Sequence, residues 1–192
     1  GRCWDEFQRK ESFLVRAGYI AEDGTFNAGA RILESLQITE IFVAELILAG
    51  IFEGLDDPTL FGLLCGLVSD FPRKAVRRFG LDSDLRELAR RVEQVRRSPI
   101  VVDAETLTEQ EIGWSPFWIP LGQAWVRGES LVEILDRVES ETDIAGDVVS
   151  TFRRAKDLCK QLADVYQDLP DRVDGLRSLV RRVSRDEVEV VD

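Results

Sequence analysis

A chain of 192 residues, 44% of them hydrophobic, is long and apolar enough to bury a core and is not a disordered tail. Its formal net charge of -11 argues against a general attraction to nucleic acid or to an anionic membrane, so any contact with a polyanion must be local. Histidine is absent, which removes Ser-His-Asp and Cys-His nucleophile pairs, His-containing zinc sites and the Glu-x-x-His di-iron motif.

Three cysteines, Cys3, Cys65 and Cys159, are odd in number, far apart and in no CxxC pattern. That usage suits a reducing, cytoplasmic setting better than a disulfide framework. The longest apolar run, Ile41 to Phe52, is short and interrupted by Glu45, so no membrane partner is expected. No signal peptide is visible. The first residue is Gly rather than Met, which reads as a piece of a longer protein.

Residues 4 to 17 carry Trp4, Phe7, Phe13, Leu14 and Ala17 at roughly helical spacing. In the GYIAEDGTF that follows, Tyr19 and Ile20 face Thr25 and Phe26 across an Asp23-Gly24 turn, a short β-hairpin of the kind that ends a winged-helix domain. Asn27 is placed to cap a helix through Leu36. Thr39 is a second cap candidate, opening TEIFVAELILAGIF, which is apolar on nearly every face and so reads as a buried helix ended by Gly50 or Gly54. Asp56 or Asp57 then caps a second apolar helix, with Pro58 at its start, where a missing amide hydrogen costs nothing. Together residues 39 to 69 are expected to form a central helical hairpin.

After Phe71 and Pro72 comes a basic stretch. Residues 73 to 97 hold nine Lys or Arg against four acids, and from Ser83 onward Leu85, Leu88, Ala89, Val92 and Val95 make one apolar helical face. Residues 98 to 113 are irregular in pattern. Trp114, Phe117, Trp118 and Trp125 crowd the next segment, where Pro116 and Pro120 limit helix until about Leu121. Gly128 to Val138 reads as an amphipathic helix, Gly146 to Gln167 as another, and Arg172 to Val183, after Pro170, as the last. The expected fold class is all-α, a helical bundle with a short N-terminal β-hairpin.

The 146 to 167 helix is the most informative stretch. Val148, Phe152, Ala155, Cys159, Leu162 and Tyr166 stack on one core-facing stripe. Opposite lie Arg153, Arg154, Asp157, Lys160, Gln161 and Asp164, for which intrahelical ion pairs on a wet surface are the plain reading. Arg154 sits toward the flank with Asp157 one turn on, a donor fork beside an acceptor that suits a base edge or a sugar hydroxyl.

Elsewhere the plain readings are structural. Glu45, within an apolar helix, is expected to accept hydrogen bonds from a helix end or an arginine, since unpaired burial is costly. Cys65 and Cys159 read as small hydrophobes, and the tryptophans as core rather than as base-stacking platforms. The arginines of 73 to 97 read either as a solvated face or as a contact to phosphate or to an acidic partner. No phosphate-cradling GxxxxGKT loop is present, so this stretch is not expected to be an enzyme by itself.

Several segments in order resemble the C-terminal helical domain called DSHCT of superkiller-type DExH-box helicases. They are GYI followed by DGTFNAGARILESL, then AELILAGIFEGL, LFGLLCGLVSD, QAWVRGESLVEIL, GDVVSTFRRAKDL and VSRDEV with its closing Arg-Asp. The resemblance implies that residues 1 to 30 are the tail of a winged-helix domain and 31 to 192 a helical bundle whose ratchet helix is 146 to 167. It further implies that this helix guides single-stranded RNA or DNA in RNA processing. Arg154 matches the family's base-contacting arginine and Asp157 stands where a glutamate often does, with Arg153 and Gln161 beside them. Ala145 and Ser150 depart from the family's glutamate and arginine. ATP and Mg would act in motor domains of the same parent chain, a hydrolase, and the stretch alone is expected to be monomeric. The alternative is a helical protein-protein interaction module that touches no strand.

Overall fold

The computed structural model describes residues 38–69, 80–138 and 144–185, which hold eight α-helices and no strand. The expected hairpin and winged-helix tail, the helix from Asn27 and the arginines Arg73 to Arg78 lie outside the described residues. The chain divides into two compact units, the described parts of Gly1–Glu53 with Glu87–Ile112, and of Gly54–Arg86 with Gly113–Asp192.

In the first unit, α1 (Ile38–Leu48) buries Ile38, Ile41, Phe42, Val43, Ala44, Leu46 and Ile47. It includes Thr39 rather than being capped by it, and Gln110 serves that end instead, its Oε1 accepting from the Ile38 amide at 2.9 Å. The other end closes at Gly50, whose φ of 73° permits the Ile51 amide to reach the Leu46 carbonyl and the Gly50 amide the Ile47 carbonyl, each at 3.0 Å. Those two bonds make a Schellman motif, a left-handed stop that glycine adopts without steric cost.

The helix α3 (Ser83–Arg96) starts in the second unit and runs on into the first. Its first turn is capped by Asp82, whose carboxylate accepts from the Leu85 amide at 2.8 Å. Leu85, Leu88 and Val92 are its buried residues, in line with the face read from the sequence. Residues 98 to 113 are not irregular, because Pro99–Thr108 forms α4, with Pro99 in the first turn and Val101 and Ala104 buried. Two buried residues in ten leave little periodicity to see. It is α4 that packs on α1.

The second unit is built on α2 (Asp57–Val68). Asp56 caps it, accepting from the Thr59 amide at 2.9 Å, and Pro58 occupies the first turn. A bond from the Thr59 hydroxyl, and after it this one from the Thr59 amide, holds the Asp56 carboxyl below its usual range. Every residue from Phe61 to Leu67 is buried, and α2 packs on α5 (Ile119–Val126) and on α7 (Ala145–Val165). The two apolar helices expected to form a central hairpin fall in different units, and each has its main partners in its own unit. A helix apolar on all sides announces burial but not its neighbour.

Helix begins earlier around the prolines than their spacing suggested. Pro116–Trp118 is a 3-10 turn, and Pro120 lies in the first turn of α5, where its missing amide is tolerated. Gly128 does not open a helix but ends α5 in a second Schellman motif, with φ 96°, the Glu129 amide on the Ala124 carbonyl and the Gly128 amide on that of Trp125. Ser130 caps the shorter α6 (Leu131–Arg137). The last helix, α8 (Pro170–Val183), packs on α7 and α5.

Candidate nucleic-acid interface

The core of the second unit fixes how α7 is turned. Val148, Phe152, Ala155, Cys159, Leu162 and Tyr166, the stripe read from the sequence, are all buried. Phe152 anchors them, stacked on Trp125 with centroids 5.1 Å apart and tilted against Phe61 at 5.9 Å. Cys159 turns its thiol to the Leu176 carbonyl of α8 at 3.7 Å, and burial pushes its pKa up to about 12. Cys65 is also buried and its pKa raised, so both thiols behave as hydrophobes. Trp114, Trp118 and Trp125 are core residues too, which removes them as base-stacking platforms.

With the apolar stripe inward, the polar residues of α7 take defined places. Successive residues turn by about 100°, so Arg154 and Gln161, seven apart, share one edge of the exposed arc. Asp157 lies near its middle and Arg153 toward the opposite edge with Lys160. Arg154 is half-buried, its Nε out of solvent, whereas Asp157 and Gln161 are exposed. Both arginines are engaged in contacts of their own. Asp157 lies 4.0 Å from Lys160, an exposed pair whose contribution to stability is small. Fold and sequence thus bring Arg154 and Gln161 to one edge with Asp157 between them and Arg153, which stands about a quarter turn from Arg154.

Two residues escaped the sequence reading. Lys156 is buried on α7, at the margin of the apolar stripe. Arg185, two residues past α8, places its guanidinium 3.5 Å from the Trp125 ring centroid. Its Nη1 donates to the Trp125 carbonyl at 3.1 Å and the Glu129 carbonyl at 2.8 Å, at the negative end of α5. Trp125 reciprocates, its indole N–H donating to the Val183 carbonyl at 3.0 Å. The only advance signal was the Arg-Asp ending, which carries no information about its partner.

The arginines of α3 are largely taken up along their own helix. Arg90 pairs with Glu87, and Arg96 and Arg97 lie 3.7 and 3.9 Å from Glu93. Among the described residues no three Cys, Asp or Glu side chains come together as a metal site, and no helix is long and apolar enough to cross a membrane. In comparison with known proteins, the family model for the DSHCT (NUC185) domain matches residues 23–189. No curated protein matches the chain.

Proposed function

Since the chain belongs to the DSHCT family, the C-terminal domain of Ski2-like helicases, we propose that it guides single-stranded nucleic acid through an ATP-dependent helicase, with α7 as the ratchet helix. The observation that carries this is the exposed arc of α7, with Arg154 and Gln161 along one edge and Asp157 beside them near its middle, while Phe152 holds the opposite face in the core. A guanidinium offers paired donors and a flat surface for stacking, and a carboxylate or amide beside it accepts from an exocyclic amine or a ribose hydroxyl. Both are contacts to bases and sugars rather than to phosphate, which fits a domain of net negative charge. Arg153, on the other edge, serves the backbone of the same strand. Hydrolysis of ATP, with Mg, belongs to the motor domains of the parent helicase.

The test is Arg154→Ala in the complete helicase. Unwinding falls while the circular dichroism and melting temperature of the enzyme are kept. Equal unwinding by variant and parent removes Arg154 from the strand path. The chain alone, lacking the motor domains that close the channel, binds single-stranded RNA at the weak end of nonspecific affinity, about 10⁻⁴ to 10⁻⁶ M.

A further inference from the structure

Glu45 departs from expectation. Among the described residues nothing donates to its carboxylate and no cation pairs with it, and its half-burial in α1 pushes its pKa up by desolvation. The carboxylate lines a groove of ≈ 450 Å³ within the first unit, shared by Leu48 and Ile51 at the end of α1 and by Arg91, Val95 and Ser98 along α3 and just beyond it. Ser98 on the groove wall holds its hydroxyl out of solvent with no hydrogen-bond partner. The volume falls in the range of sites for small ligands, about 300 to 1,000 Å³. The half-buried Glu45 carboxylate faces the open groove beside aliphatic walls, and a cation there would offset its desolvation.

We propose that this groove receives a lysine or arginine side chain from a segment of a partner protein. The cationic head meets Glu45, the aliphatic stem lies on Leu48, Ile51 and Val95, and a main-chain carbonyl of the segment accepts from Arg91. A long basic side chain is the ligand that covers apolar wall with its stem and keeps its charge for the end. The groove offers one anion, Glu45, and one cation, Arg91, so a segment carrying a basic side chain and a free main-chain carbonyl meets both, whereas a phosphate that reached Arg91 would meet Glu45 as well. The net charge of the chain draws a basic partner rather than an acidic one. This site lies wholly in the first unit and does not depend on the strand reading.

The probe is a capped tetrapeptide, acetyl-Leu-Arg-Leu-Glu-amide, titrated into the ¹⁵N-labelled chain, with acetyl-Leu-Gln-Leu-Glu-amide as its neutral twin. The arginine peptide shifts the amides of Leu48, Ile51, Val95 and Ser98 in a saturable way. The glutamine peptide binds at least about tenfold more weakly, the loss of one charge-assisted contact. Glu45→Gln erases the difference between the two peptides, and because both peptides are also compared on the unaltered chain, the result does not hang on how the variant folds. Equal binding of the two peptides there, shifts confined to other residues, or no saturation into the millimolar range overturns the proposal. So does an oligouridylate that shifts these amides where the arginine peptide does not.

Discussion

Gly62 of α2 and Gly122 of α5 share one crossing point: a Cβ on Gly122 would lie 2.5 Å from the Gly62 Cα, and a Cβ on Gly62 would lie 2.4 Å from the Ile119 carbonyl oxygen. Both obstacles are backbone, so neither can swing aside. Gly62→Ala and Gly122→Ala should each cost about 1 to 3 kcal/mol or more by forcing two packed helices apart. Gly175→Ala is the control, since it sits within α8 with open space around its Cβ. It should raise stability by about 0.5 to 1 kcal/mol through helix propensity. Urea unfolding of the three variants measures all of this, and a neutral Gly122→Ala would contradict the close crossing.

Arg185 predicts a second ordering of variants. Its guanidinium both lies over Trp125 and donates to two carbonyls at the end of α5. Arg185→Ala should lose about 1.5 to 3 kcal/mol, the range for hydrogen bonds from a charged donor. Arg185→Lys should recover less than half, because an ammonium cannot present a flat face and a fork at once. Thermal melts followed by tryptophan fluorescence report both. Equal melting of the lysine variant and the parent would show that charge alone suffices.

Glu45 makes stability depend on pH in a direction opposite to that of a capping acid. Its folded pKa is raised by burial, so the folded state holds the proton more tightly than the unfolded one. The penalty is fully present above the folded pKa and disappears as pH falls through it to the ordinary glutamate value of about 4.3. Glu45→Gln should therefore melt higher than the parent at pH 7, with the gap closing toward pH 4. A gap that stays constant over that span would mean that the carboxylate is solvated after all. Asp56 runs the other way: its pKa is lowered by Thr59, so its capping is intact at neutral pH and lost in acid.

The sequence was legible where one residue type does one local job. Asp56 or Asp57 with Pro58 marked the start of α2 and Gly50 or Gly54 the end of α1, of which the structure uses Asp56 and Gly50, and the regular recurrence from Val148 to Tyr166 gave the inward face of α7 and hence the flanking place of Arg154. It was illegible where the partner is distant in the chain. Helices apolar on all sides gave no hint that α1 joins α4 and α2 joins α5, and α4 itself hid behind a pattern with few buried positions. Glu45 was expected to be paired because burial makes pairing profitable, yet no described donor reaches it. Arg185 illustrates the limit, since it meets Trp125 across sixty residues of chain.

The central claim is that a strand runs along the Arg154 edge of α7. A single-stranded oligonucleotide carrying 4-thiouridine at successive positions, photocrosslinked to the complete helicase and mapped by mass spectrometry, tests it most directly. The account predicts crosslinks on α7 in peptides containing Arg154, Asp157 and Gln161, lost on Arg154→Ala. Crosslinks to the parent enzyme that avoid α7 altogether would contradict it.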